Sequence, residues 1–367
     1  MLIVKGLSDM VKEIFEMCKD EKDEKYNNII SSLQGKNIVL YGAGGIGFIT
    51  SNILKDNACY ICNFIDDDKA KQGTYINGIK VVALEDVNLD TDAIILICLP
   101  NPMEVYNKLM GLGYKAAKYY PLMMSEKGFY DVSLLMENQN KIESVFNLLS
   151  DDLSKLVFSN ILKHRITMDF TYLNGIVSQK QYFPSDIFTL NAAECFVDGG
   201  AYNGETIAAF IAETNNKFSY IYAFEPDLQN YYKIEESNKS LDCNLVKLFN
   251  AGLYSKNGVI GFNSHGNSAS FICETGKDTI SLVKLDDVVD KYNPTYIKLD
   301  IEGAEEEALY GMKDTIAKYH PKLAISIYHK AADLWELPLV ILKLSASYKI
   351  YIRHYSNGLH ETVCYAI

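Results

Sequence analysis

Short β-rich runs ending in an acid or a glycine alternate with helix-compatible stretches along most of this chain. NIVLY at 37–41, CYICNFI at 59–65 and AIILICLP at 93–100 form one series. ECFVD at 194–198, YIYAFE at 220–225, NLVKLF at 244–249, YIKLD at 296–300 and KLAISIY at 322–328 form another. Strands separated by helices pair in parallel through crossovers, so the fold class is α/β with two doubly wound sheets. The expected boundaries are an N-terminal helix over 1–34, a first sheet over 35–120, a helical connector over 121–190 and a second sheet over 191–367. Leu7, Val11, Ile14 and Cys18 recur at helical spacing in the first of these, and 145–162 reads as helix in the connector.

With 48% hydrophobic and 22% charged residues in 367, the chain has ample apolar surface to bury and is not disordered. Lys plus Arg number 35 against 47 Asp plus Glu, so the net charge is 35 − 47 = −12, which disfavours a nucleic-acid partner. A small-molecule partner fits better. The opening apolar run stops at Lys5 and no apolar stretch reaches the roughly 18 residues of a membrane span, so a cytoplasmic location is expected. The eight cysteines read as reduced thiols; Cys59 and Cys62 have CxxC spacing but lack a second pair for zinc.

The second series opens with Asp198-Gly199-Gly200-Ala201-Tyr202-Asn203-Gly204. A strand ending in an acid, then glycines, then a helix start lets a nucleoside approach the backbone at the sheet's carboxyl edge. Glu225, 225 − 198 = 27 residues on, ends the next strand, where a carboxylate can accept from both ribose hydroxyls. Asp300 ends a third strand and should face the same crevice, whereas Glu302 and Glu305 suit the start of the following helix. His329, just past another strand, is placed to take a proton at neutral pH. His265, in SHGNSAS, reads as a hairpin tip. The first series carries Gly42, Gly44 and Gly47 in a full G-x-G-x-x-G after a strand, with Asp66 ending the next strand, which is the dinucleotide pattern in context. Asn357-Gly358 between two β-rich runs reads as a C-terminal hairpin turn.

FVDGGAYNGET, YAFEPD, IKLDIEGAEEEAL and HPKLAISIYHK, in that order and with the lead-in QYFPSDIF, resemble the FkbM-type family of S-adenosylmethionine-dependent methyltransferases over residues 181–367. The resemblance implies a seven-stranded class I methyltransferase sheet whose last strand is antiparallel, in keeping with the hairpin. It implies O-methylation of a sugar or related natural product. Carried over by position, Asp198 and the backbone of Gly199, Gly200 and Gly204 hold the methionine side, Glu225 the ribose, and Asn250 and Ala251 the adenine side. Asp300 and His329 are then the candidate bases. A divalent cation on Asp300 and Glu302 is a substitute, though the sequence demands no metal. IVLYGAGGIG, FIDDDKAKQG and INGIKVVALEDV resemble the Rossmann-like N-terminal domain of PglD-type sugar acyltransferases, which implies a nucleotide or nucleotide-sugar there. NAD and a purely structural domain stay open at that position. For the whole chain, the rivals are a non-catalytic nucleotide-binding regulator and an NAD-dependent oxidoreductase. Neither the acceptor nor the oligomeric state can be read from these residues.

Overall fold

A computed structural model describes residues 7–19, 25–87, 93–99, 102–114, 117–118, 122, 128–237, 244–263, 271–272 and 278–367. The stretch carrying His265 lies outside them. The chain divides into two compact units: Met1–Gln139, Ser159–Val177 and Ser356–His360 form the first, and Asn140–Phe158, Ser178–Tyr355 and Glu361–Ile367 the second. Residues 121–190, read from sequence as one connector, are thus shared between the units. Among the described residues, no helix is long and apolar enough to cross a membrane.

In the first unit the N-terminal stretch forms two helices, Leu7–Lys19 and Lys25–Leu33. Six strands follow: β1 (Asn37–Tyr41), β2 (Tyr60–Ile65), β3 (Tyr75–Ile76), β4 (Ile79–Val82), β5 (Ile94–Ile97) and β6 (Ala117–Lys118), in the order β3-β4-β2-β1-β5-β6. All neighbours are parallel except β3 and β4. Ile38 and Leu40 join one apolar cluster with Leu54, Phe64 and Leu96, while Val39 and Tyr41 join another with Ile65, Ile95 and Leu109. Both faces of the sheet are therefore covered, as unbroken apolar parallel strands require. Each such buried side chain contributes about 1.5–3 kcal/mol.

The second unit holds β7 (Cys195–Gly199), β8 (Tyr220–Phe224), β9 (Val246–Phe249), β10 (Gly252–Leu253), β11 (Gly258–Asn263), β12 (Phe271–Ile272), β13 (Asp278–Val283), β14 (Tyr296–Leu299), β15 (Lys322–Ser326), β16 (Ile350–His354) and β17 (Thr362–Ala366). Seven of these make a sheet in the order β16-β17-β15-β14-β7-β8-β9, the seven-stranded arrangement expected. Only β17 runs against its neighbours. A separate four-stranded sheet, β10-β13-β11-β12, follows β9. Beneath the main sheet Phe196 stacks between Phe210 and Tyr296, with ring centroids at 4.5 and 5.2 Å. The C-terminal ends of β7, β8, β14 and β15 share one edge because those strands are parallel.

The expected Asn357-Gly358 turn is corrected by the structure. β16 and β17 do pair antiparallel, but residues 355–361 join them, and the left-handed residue of that loop is Glu361, at φ 65°. The two-residue Asn-Gly turn lies instead at Asn77-Gly78, between β3 and β4, with φ 49° and 75°. Two successive positive φ values are what a type I′ turn needs. Arg353 on β16, 2% exposed, lies 2.6 Å from Asp151 and 2.7 Å from Asp186. That pairing ties residues ahead of β7 to the far side of the sheet.

Candidate functional site

β7 and β14 lie side by side with Asp198 opposite Lys298. Both side chains are buried, and the Lys298 Nζ donates to Asp198 Oδ1 at 3.0 Å, to the Gly200 carbonyl at 2.7 Å and to the Gly199 carbonyl at 3.2 Å. One lysine thus fixes the acid and the turn after it. Burial pushes the Asp198 carboxyl above its usual range, with Lys298 opposing. Burial would lower Lys298, but Asp198, Asp300 and Glu225 more than offset it and keep the ammonium charged. Asp198 Oδ2 is buried and has no hydrogen-bond donor.

Gly200 sits at φ 79°, and a Cβ there would lie 1.9 Å from the Asp300 carbonyl oxygen. Its role is to let the loop close against the end of β14, and Gly199 is likewise crowded by Leu299 and Leu253. The Gly200 and Ala201 amides donate to the Phe224 carbonyl, so the loop folds toward β8. There Glu225 Oε2 accepts from the Tyr202 amide and Oε1 from the Asp227 amide, each at 2.8 Å. Burial pushes the Glu225 carboxyl up to about 7, although both amides favour its charge. Gly204, at φ 87°, caps helix Glu205–Glu213. Asn250, just after β9, donates to the Glu225 and Pro226 carbonyls at 3.0 Å, and Ala251 beside it is buried. Asp198, Gly199, Gly200, Gly204, Glu225, Asn250 and Ala251 are thereby gathered along the ends of β7, β8 and β9.

Asp300 follows β14. Its Oδ2 accepts from the Tyr182 hydroxyl at 2.8 Å and its Oδ1 from the Tyr328 hydroxyl at 3.1 Å. Burial alone would raise its carboxyl, but His329, Lys298 and the two tyrosines hold it below the usual range. His329 Nε2 lies 3.3 Å from Asp300 Oδ1 and 3.6 Å from Glu302 Oε2, and its Nδ1 lies 2.9 Å from Glu305 Oε1. Neither ring nitrogen has a hydrogen bond of good angle, so the attraction is one of charge. Burial opposes the imidazolium, yet Glu305, Asp300 and Glu302 push its pKa up to about 10. The expectation that His329 takes a proton at neutral pH is corrected: in this setting it already holds one.

Sequence reasoning passed over Lys298, Tyr182 and Tyr328, and read Glu305 as a helix-start charge. Glu305 does begin helix Glu305–Gly311, but it is 1% exposed, its Oε1 accepts from the Ile301 amide, and its Oε2 has no donor. Lys298 had a visible signal, since a lysine inside YIKLD shares a face with Tyr296 and Asp300 at strand spacing. Asp300, Glu305 and His329 offer ligand atoms within 4.8 Å of one another.

Gly42, Gly44, Gly47 and Asp66 form a second group, in the first unit. Gly42 is at φ 115°, where a Cβ would meet the Cys98 carbonyl at 2.6 Å, and a Cβ on Gly47 would meet the Gly42 carbonyl at 2.0 Å. Those two serve packing; Gly44 and Gly45 face open space at the start of helix Gly45–Asp56. Asp66 Oδ2 accepts from the Ala43 amide at 2.9 Å and the Lys71 ammonium at 3.0 Å, and Oδ1 from the Asp68 amide at 2.9 Å. These donors outweigh burial and hold its carboxyl low. Asp66 therefore braces the glycine loop.

Residues 198–349 match the family model described as "Methyltransferase FkbM domain", and residues 34–120 match "C2185-like, N-terminal". No curated protein matched the chain. Among solved structures, the methyltransferase FkbM of Methylobacillus flagellatus KT is similar at 21% identity and a TM-score of 0.76, over 99% of this chain and 100% of that one. An rRNA methylase from Streptococcus thermophilus matches at 14% identity and a TM-score of 0.35, over 52% of this chain and 97% of that one. Aeropyrum pernix fibrillarin, with natively bound S-adenosyl-L-methionine, matches at 9% identity and 0.30, over 48% and 69%. The likeness in fold to the Methylobacillus protein runs the length of the chain, and residues 198–349 are similar to the methyltransferase FkbM domain.

Proposed function

We propose that the second unit is an S-adenosylmethionine-dependent O-methyltransferase acting on a hydroxyl of a sugar or related small molecule. The observation that carries this reading is the gathering, at adjacent strand ends, of an unpaired buried oxygen on Asp198, the Glu225 carboxylate and the Asn250 amide. The cofactor fits these residues. Asp198 Oδ2 seeks a donor such as an ammonium, since a buried acceptor left alone costs about 1–3 kcal/mol. Glu225 would take the ribose hydroxyls, and Asn250 and Ala251 would border the adenine. When bound, S-adenosylmethionine supplies a methyl group on a positively charged sulfur.

The chain's own part is placement and proton handling. Lys298 locks Asp198 Oδ1 and leaves Oδ2 for the ligand, so the acid is set before binding. Tyr182 and Tyr328 aim the Asp300 carboxylate. A hydroxyl oxygen that has gained a methyl holds its proton very weakly, so even a carboxylate kept low can accept it late in the step. Asp300 takes that role, and His329 acts by keeping Asp300 ionised. The test is incubation of the protein with isotope-labelled S-adenosylmethionine and a panel of glycans and nucleotide-sugars, read by mass. A product heavier by one labelled methyl is expected; no binding of S-adenosylhomocysteine by calorimetry would end the reading.

For the first unit, a Rossmann-like domain resembling that of PglD-type proteins, we propose a nucleotide or nucleotide-sugar beside Gly44 and Gly45. Support comes from their open flank at a helix start, where backbone amides favour phosphate.

A further inference from the structure

We infer that Asp300, Glu305 and His329 form a binding site for one divalent first-row metal ion. Their ligand atoms lie within 4.8 Å of one another, a span that one ion with bonds of about 2.0–2.2 Å can bridge with slight closure. Geometry alone would make this an acidic cluster. What points to a ligand is the state of the buried atoms. Glu305 is 1% exposed, and its Oε2 has no hydrogen-bond partner; the His329 side chain is 7% exposed, and neither ring nitrogen has an aligned one. Buried polar atoms normally find partners; the unpaired Glu305 Oε2 and one His329 ring nitrogen, whose proton a bound ion would displace, are the atoms a cation would take.

The fold builds the cluster rigidly. Asp300 is held by two tyrosine hydroxyls, and Glu305 Oε1 by the Ile301 amide. Between them Glu302 and Gly303 take left-handed conformations, φ 53° and 94°, that turn the chain back toward His329. β14 and β15 are adjacent and parallel, so residues following them meet at one edge. Two carboxylates and one imidazole suit Mn²⁺ or Zn²⁺ better than Mg²⁺, whose preference is for oxygen alone. Three protein ligands leave coordination positions open for an acceptor oxygen. That catalytic use rests on the methyltransferase reading, but the existence of the site does not.

The test uses the full chain, stripped with a chelator and titrated with Mn²⁺, free ion being read by electron paramagnetic resonance, with Zn²⁺ and Mg²⁺ as competitors. One Mn²⁺ per chain is expected, displaced by Zn²⁺ more readily than by Mg²⁺. Electron spin echo modulation of the bound ion should show one imidazole nitrogen. Glu305→Gln and His329→Gln, checked for folding by circular dichroism, should each weaken binding at least tenfold. No saturable binding, no nitrogen coupling, or unchanged affinity in folded variants would overturn the site. Calorimetry of S-adenosylhomocysteine on the stripped protein keeps the readings apart: metal without cofactor binding defeats the methyltransferase proposal alone, and the reverse defeats the metal.

Discussion

Glu225 is poised near neutrality, and its charge is what a ribose would use. Its carboxyl, pushed up to about 7 by burial, is partly protonated at physiological pH. Hydroxyl donors favour the ionised form, so ligand binding must remove that proton when the pH is below this value. Affinity for S-adenosylhomocysteine should therefore fall as pH drops below about 7, approaching tenfold per unit, and level off above it. Glu225→Gln should weaken binding by about one to two powers of ten at pH 8, the worth of a charge-assisted hydrogen bond, and abolish the pH dependence. Calorimetry at several pH values checks both. Gly200→Ala should destabilise the protein by about 2–4 kcal/mol, because its left-handed φ and the Asp300 carbonyl at 1.9 Å leave no room for a methyl group. A urea midpoint close to that of the parent would contradict it. Asp198, Glu225 and Asp300 were legible as residues because strand ends carry acids for a reason that local pattern shows. The charge of His329 was not, since Glu305 lies 329 − 305 = 24 residues upstream and reaches it only through the pairing of β14 with β15.

Strands were easier to read than turns. Runs such as YIKLD and KLAISIY declare themselves by unbroken apolar character, which follows from burial on both faces. Asn-Gly occurs at 77–78, 174–175, 203–204, 257–258 and 357–358, and only the first pair fills a two-residue gap between paired antiparallel strands. Dipeptide chemistry permits a turn; the register of the flanking strands decides whether it forms. β16 depends on more than its hairpin. Arg353 is 2% exposed, and its partners Asp151 and Asp186 are 32% and 53% exposed, so removing the cation lets the acids regain water. Arg353→Leu should accordingly cost about 3 kcal/mol, the low end for a broken buried pair, measured by chemical denaturation.

At the scale of the chain, the second unit includes Asn140–Phe158 as well as the residues from Ser178 onward. A fragment cut at the boundary expected from sequence, 191–367, lacks both Asp151 and Asp186 and leaves the Arg353 guanidinium buried without a counter-charge. It also loses the bridge from Leu149 to Ile350. The fragment 140–367 should show a cooperative thermal transition and bind S-adenosylhomocysteine, whereas 191–367 should aggregate or melt without cooperativity. Equal behaviour of the two by calorimetry would refute this. Composition cannot show such interleaving, because a domain edge in sequence is marked by pattern and an edge in space by which charges end up facing each other.

The place of β17 also imposes an order on assembly. β16 precedes it in the chain yet has no other strand of the seven-stranded sheet as a neighbour. A sheet growing outward from β15 therefore cannot add its strands as the chain supplies them: it must pass over 350–354, capture 362–366 and return, or accept the two strands as a hairpin already made. The second route closes a short loop before any long one, the less costly sequence in chain entropy. On that route the rate at which this edge of the sheet forms is set by residues 355–361, so lengthening that loop should slow refolding while leaving the unfolding rate nearly unchanged.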